Sequence, residues 1–171
     1  MARTVTFKGN PVNLAGPELK PGTQAPSYTG LNVLTPVTLA DTPAKARLFS
    51  VVPSLDTAVC SLQTHKFDEG IKALGDSVAC YTVSLDLPFA QGRFCTAEKI
   101  SSMKTISDVK DHSFGKNWGV LIESGLPLQL LTRAVFVVDK TGKITYAEYV
   151  PEVTSEPKYE AALAALQAAA K

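Results

Sequence analysis

Residues 45–52, KARLFSVV, restrict the possible folds of this chain more than any other segment. The run is apolar on both alternating sets of positions and carries β-branched residues at its end. It therefore suits a central strand covered on both faces. Pro53 stops it, and the period then changes. Over residues 58–74, Val59, Phe67, Ile71 and Leu74 fall on one side of a helical wheel, with Lys66, Glu69 and Lys72 mostly elsewhere. Gly75 ends that helix. A covered strand feeding a helix commits the chain to an α/β layer architecture.

The flanking segments fill in the order. Residues 3–7 and 11–14 alternate around Gly9-Asn10 and predict an N-terminal β-hairpin. Residues 77–85, SVACYTVSL, read as a second buried strand, and 88–99 as a short helix or turn. Residues 133–139 and 143–149 read as two strands joined at Lys140-Thr141-Gly142. From residue 155, Tyr159, Leu163 and Leu166 form the stripe of a closing helix. The expectation is a central mixed β-sheet flanked by helices, with the hairpin added at the N-terminus. It occupies residues 1–171 as a single domain, since no linker, repeat or low-complexity tract divides the 171 residues.

Apolar residues make up 45% and charged residues 19%, with a net charge of +1, so the chain reads as globular. It lacks the basic block that tracks phosphates, so nucleic acid is not an expected partner. Its longest wholly apolar runs, such as AVFVV at 134–138, are too short to span a bilayer, and membrane is not an expected partner either. The start MARTVTFKGNPVN carries no apolar stretch of the secretory kind, which makes the cytoplasm the expected location. Three cysteines, Cys60, Cys80 and Cys95, do not make a disulfide scaffold. With no C-x-x-C and two histidines, zinc spacing is missing too. A disulfide here is expected to be made and broken in function.

Cys60 falls close behind the junction of strand and helix, in PSLDTAVC at 53–60. The start of a helix carries free N–H groups and partial positive charge, which favour a thiolate over a thiol. Such a sulfur also lies at the C-terminal end of a sheet strand, where open α/β sheets bind ligands. The Thr57 hydroxyl, three residues earlier, can accept one hydrogen bond and donate another, as orienting a small polar molecule requires. Pro53 stiffens the loop. Taken singly, these residues have plainer readings: Cys60 as a small core residue, Thr57 as a helix cap, Pro53 as a strand terminator.

Together, Pro53-x-x-x-Thr57-x-x-Cys60 resembles the active-site signature of the peroxiredoxins. SLDLPFAQGRFC at 84–95, VTFKGNPV, RAVFVVD and EPKYEAALAAL are similar to the thiol peroxidase branch of that superfamily, so the resemblance covers essentially the whole chain. It implies a thioredoxin-like fold. It also implies a peroxidase acting on hydrogen peroxide and alkyl hydroperoxides, recycled by thioredoxin, without metal, haem or flavin, and assembled as a homodimer. By the same resemblance Cys60 is the peroxidatic cysteine, Cys95 the resolving cysteine, and Thr57 and Arg133 the groups that hold peroxide and sulfur. Pro53 screens the sulfenic acid. Cys60 and Cys95 lie 35 positions apart. A bridge needs Cα atoms within about 7 Å, and the expectation is that local unwinding around 57–62 and 92–97 brings the two sulfurs together.

Other residues are read more plainly. Cys80, within VACYTV, is expected to be buried and inert. Arg93 could tune Cys95, meet the reductant or form a plain ion pair. His65 and His112 are expected on a helix surface and in a loop. The leucine-rich stretch 125–131 is either core or a rim favouring organic hydroperoxides. Two other functions share these residues: thiol–disulfide exchange on other proteins, which the missing C-x-x-C opposes, and a redox sensor that reacts once without turnover.

Overall fold

The structure, a computed structural model, describes residues 2–171. In chain order it contains β1 (Arg3–Phe7), β2 (Asn10–Leu14), β3 (Thr29–Asn32), β4 (Thr35–Thr38), β5 (Ala46–Val51), α1 (Ala58–Ile71) and β6 (Val78–Ser84). There follow α2 (Pro88–Ala97), β7 (Met103–Ser107), α3 (Ser113–Asn117), β8 (Ile122–Ser124), β9 (Ala134–Val138), β10 (Ile144–Tyr149) and α4 (Tyr159–Ala169). Seven strands form one sheet in the order β10-β9-β5-β6-β7-β3-β4. β5, β6 and β7 run parallel, with α1 and α2 as their crossovers, whereas β9 and β10 add on antiparallel. This is the mixed sheet flanked by helices expected of the thioredoxin-like class, with the expected hairpin β1–β2 extended by β8 into a small second sheet.

β5 lies inside the sheet between β9 and β6, and every residue in it is buried. Its alternate side chains serve two cores, as a strand covered on both faces must. Ala46 and Leu48 pack under α1 and α4 with Phe67, Ile71, Val135, Val137 and Leu166. Phe49 and Val51 face the other way, toward Tyr28, Phe114, Trp118 and Phe136. There the Phe114 and Trp118 rings stack with centroids 4.5 Å apart.

Three features depart from the sequence reading. The edge hairpin β3–β4 and strand β7 were not foreseen, nor was the short α3. The α-helical part of 58–74 ends at Ile71, followed by a 3₁₀ stretch, Lys72–Ser77. Gly75 sits within that stretch at φ +49°, a conformation suited to glycine. Arg133 lies just before β9 rather than within it. No helix among the described residues is long and apolar enough to cross a membrane.

Candidate active site

β5 ends at Val51, paired with Ala134 of β9. This register places the turn beginning at Val52-Pro53 beside Arg133, at the C-terminal edge of the sheet. Pro53 is buried there. Thr57 is the N-cap of α1 in extended conformation, and Cys60 follows as the third helical residue. The first backbone bond at the helix start runs from Ser61 N–H to the Thr57 carbonyl at 3.0 Å. The amides of Ala58, Val59 and Cys60 are thus the unpaired donors that begin a helix.

The Thr57 side chain does not cap the helix. Its hydroxyl lies 2.8 Å from Cys60 Sγ and 2.9 Å from the Ser54 carbonyl. One hydroxyl has one proton, so donation to the sulfur and donation to Ser54 exclude each other. An anionic sulfur is the stronger acceptor and draws the proton to itself. Arg133 approaches from the other side. Its Nη2 lies 3.4 Å from Cys60 Sγ, Nη1 donates to Gln63 Oε1 at 2.8 Å, and Nε donates to the Val153 carbonyl at 2.8 Å. Gln63, one turn after Cys60, in turn donates to Ser50 Oγ at 2.7 Å.

Cys60 is 0% and Arg133 2% exposed. No carboxylate lies within 4 Å of the guanidinium among the described residues. The Glu156 carboxylate is farther off and pairs with Lys66, so the group nearest the buried cation able to carry negative charge is the Cys60 sulfur. Above this pair opens a cleft of about 430 Å³, lined by Pro53, Thr57, Ala58, Val59 and Arg133, with Phe7, Leu130 and Val153 as apolar wall. Lys8 and Thr154 stand at the same cleft. Glu152 secures that side. Its carboxylate accepts from Lys8 N–H at 2.9 Å, Gly9 N–H at 3.1 Å and the Thr6 and Thr154 hydroxyls at 2.6 Å each. The Thr154 and Thr6 donors hold it well below the usual carboxylate range. The clamp fixes the hairpin tip and the Val153 segment to which Arg133 is anchored.

The structure thus brings Cys60, Thr57, Arg133 and Pro53 together. Cys95 it places elsewhere: on α2, half-buried, beside a cleft shared with Tyr81, Met103, Thr105 and Ile106. Burial and the charge of Asp68 push its thiol above the ordinary value. Cys80 is buried under α1, and desolvation pushes its thiol up to about 12, which suits an inert core residue. His65 pairs with Glu98 at the surface, 2.9 Å apart, and His112 precedes α3 with φ +57°. Leu130 of the leucine-rich stretch reaches the cleft, Leu131 is core, and Leu128 is exposed. Gln63, Ser50 and Glu152 were missed. A polar residue on the apolar stripe of Val59, Phe67 and Ile71 was the one sequence trace of Gln63, and it does not reveal what the amide holds.

Residues 20–163 match the Redoxin family. The chain is 53% identical to a thiol peroxidase of Halalkalibacterium halodurans, over 97% of this chain and 98% of that one. It is 50% identical to a thiol peroxidase of Bacillus subtilis over 98% of each. Among solved structures, a peroxiredoxin-like protein from Aquifex aeolicus superposes with a TM-score of 0.91 at 40% identity, over 99% of this chain and 98% of that one. With a sulfur, a hydroxyl and a guanidinium converging under a cleft, and with relatives matched end to end, the chain belongs to the redoxin family and, within it, to the thiol peroxidases of the peroxiredoxin kind.

Proposed function

We propose that Cys60 reduces hydrogen peroxide and alkyl hydroperoxides by direct attack, and that Cys95 and thioredoxin complete the cycle. The observation that carries this reading is the buried Arg133 guanidinium, which has no carboxylate within 4 Å among the described residues and is aimed with Thr57 at one sulfur. The Cys60 thiolate attacks the near oxygen of the peroxide, the O–O bond breaks, and the far oxygen leaves as hydroxide or alkoxide and takes up a proton. Arg133, Thr57 and the free amides at the start of α1 hold the charge shared by the two oxygens. Cys60 becomes a sulfenic acid. The Cys95 sulfur then displaces its oxygen as water to give a disulfide, which an external dithiol reduces. Pro53 covers one side of the sulfur and limits access by water.

The apolar wall of Phe7, Leu130 and Val153 favours organic substrates. Catalytic efficiency for cumene hydroperoxide is expected to exceed that for hydrogen peroxide, and Leu130→Ser to narrow the gap; equal efficiencies in the unmodified protein would contradict an apolar rim. The same reading includes a homodimer. Leu62, Leu87 and Phe89 stand exposed on α1 and at the start of α2, near the site. A solution mass of twice 18.2 kDa is expected.

The cycle is tested by a thioredoxin-coupled peroxide assay on cysteine variants. Cys60→Ser should be inactive, Cys95→Ser should react once and fail to turn over, and Cys80→Ser should be near normal. A sensor would show no sustained turnover in the unmodified protein either. A fully active Cys60→Ser would overturn the assignment.

A further inference from the structure

The turn that leads into the helix of Cys60 is tied to one carboxylate, and the helix that carries Cys95 reaches the same carboxylate through Ser84. Asp86 lies between β6 and α2. Its Oδ1 accepts from Ser54 Oγ at 2.7 Å and its Oδ2 from Leu55 N–H at 2.8 Å, both in the active-site turn. Oδ2 also accepts from Ser84 Oγ at 2.7 Å. Ser84 Oγ in turn accepts from Gln91 Nε2 at 3.0 Å, and Gln91 is fully buried on α2, one turn before Cys95. The Asp86 carbonyl accepts from Ser107 Oγ at 2.6 Å, which anchors the corner to β7. An apolar bridge runs alongside, because Leu55 packs with Val52 and Cys60, and Phe94 packs on that group. Phe94, not Cys95, is therefore the residue of α2 turned toward Cys60, while Cys95 lines the separate cleft on β7. Cys60 and Cys95 thus face separate surroundings, and the disulfide step of the proposed cycle has to bring them together.

We propose that Asp86 is a positioning residue for the disulfide step, resting on the assignment of Cys60 and Cys95 above. Its carboxylate holds the active-site turn and α2 in one unit, so the two segments let go together. The strength of that hold sets how the Cys60 sulfenic acid divides between two fates. In one, the Cys95 sulfur attacks Cys60, an S–S bond forms, the S–O bond breaks, and water leaves. In the other, the sulfenate attacks a second hydroperoxide, whose O–O bond breaks, giving a sulfinic acid and an alcohol or water. Tight coupling lengthens the life of the sulfenic acid in the closed site and favours the second fate.

Asp86→Asn keeps the shape but leaves one acceptor where two are needed. After reduced protein is mixed with hydrogen peroxide, disulfide formation should quicken by about tenfold, the size expected for losing charge-assisted hydrogen bonds. The sulfinic fraction per turnover, read by mass spectrometry, should fall by a similar factor. Ser54→Ala weakens the arm to the turn, where the Leu55 N–H bond remains, Ser84→Ala cuts the arm toward α2, and together they should do no more than Asp86→Asn. A merely structural role would give effects that multiply. A disulfide rate and sulfinic fraction within twofold of the unmodified protein, a slower disulfide, or independent multiplying effects of the two serine variants would each overturn the proposal. Should Asp86→Asn fail to fold, Ser54→Ala carries the same comparison, with a smaller gain of about threefold expected and none overturning the proposal. If Cys60 of the unmodified protein is not oxidised at all, the functional assignment has failed, and the failure is distinguishable from that of the tie.

Discussion

Three acceptors fix the plane of the Arg133 guanidinium, and the proposed mechanism depends on that orientation: the Val153 carbonyl, Gln63 Oε1 and Cys60 Sγ. Removing the middle one tests whether orientation matters apart from charge. Gln63→Leu keeps the volume but leaves Nη1 without an acceptor. The rate of Cys60 oxidation is expected to fall by about 10–100-fold, the scale of a misaligned electrostatic contact at a reacting centre. Gln63→Glu is expected to fall as well, since a carboxylate would give the guanidinium a competing partner. Rapid-mixing oxidation kinetics check both, and unchanged rates would show that Gln63 is only packing. Cys60, Thr57 and Pro53 were legible in the sequence because their relation is local: a strand end, a cap and the first helical turn. Gln63 was not, since its partner Arg133 lies 70 positions away and nothing in the helical pattern marks a buried amide as an orienting group.

At the scale of elements, β5, α1 and β6 were readable because each buries a long apolar run or stripe, and β9–β10 because a Thr-Gly turn separates two such runs. The missed pieces bury little. β3 and β4 are only four residues long, with a single buried position between them and β4 at the sheet edge, and α3 is only five residues long, too short for a period to show. What holds α3 is not propensity but Asp108, whose buried carboxylate accepts from Phe114 N–H at 2.9 Å and Gly115 N–H at 2.8 Å. Burial outweighs those two donors and raises its pKa to about 6. A carboxyl raised on folding binds its proton more tightly in the native state. Its contribution to stability is therefore full below the unfolded value near pH 4 and is lost as pH rises toward 6. Asp108→Asn lacks that titration. Its stability relative to the unmodified protein is expected to improve by roughly 2 kcal/mol between pH 4 and pH 7. Denaturant unfolding across that range checks it, and a gap constant with pH would contradict it.

The whole molecule separates a buried sheet from the two segments that the proposed disulfide step would set in motion. β5, β6 and β9 are buried throughout or nearly so, while the turn at 53–57 and helix α2 lie at the edge, held by Asp86 and by the Leu55–Phe94 contact. Forming the Cys60–Cys95 disulfide should raise amide exchange around 57–62 and 92–97 and leave the central strands protected; equal exchange in the two redox states would contradict the unwinding. Sequence could not specify this geometry, because which way Cys95 faces is set by packing of Phe94 and Gln91 rather than by spacing. All of it rests on the sulfur of Cys60 as the atom that meets peroxide. The direct measurement is to give the reduced Cys95→Ser protein one equivalent of hydrogen peroxide, trap sulfenic acid with dimedone and map the adduct by peptide mass spectrometry, with and without Arg133→Met. The adduct is predicted on Cys60, forming at least 100-fold more slowly without the guanidinium. An adduct on Cys80, or one on Cys60 that forms as fast in the Arg133 variant, would contradict the account.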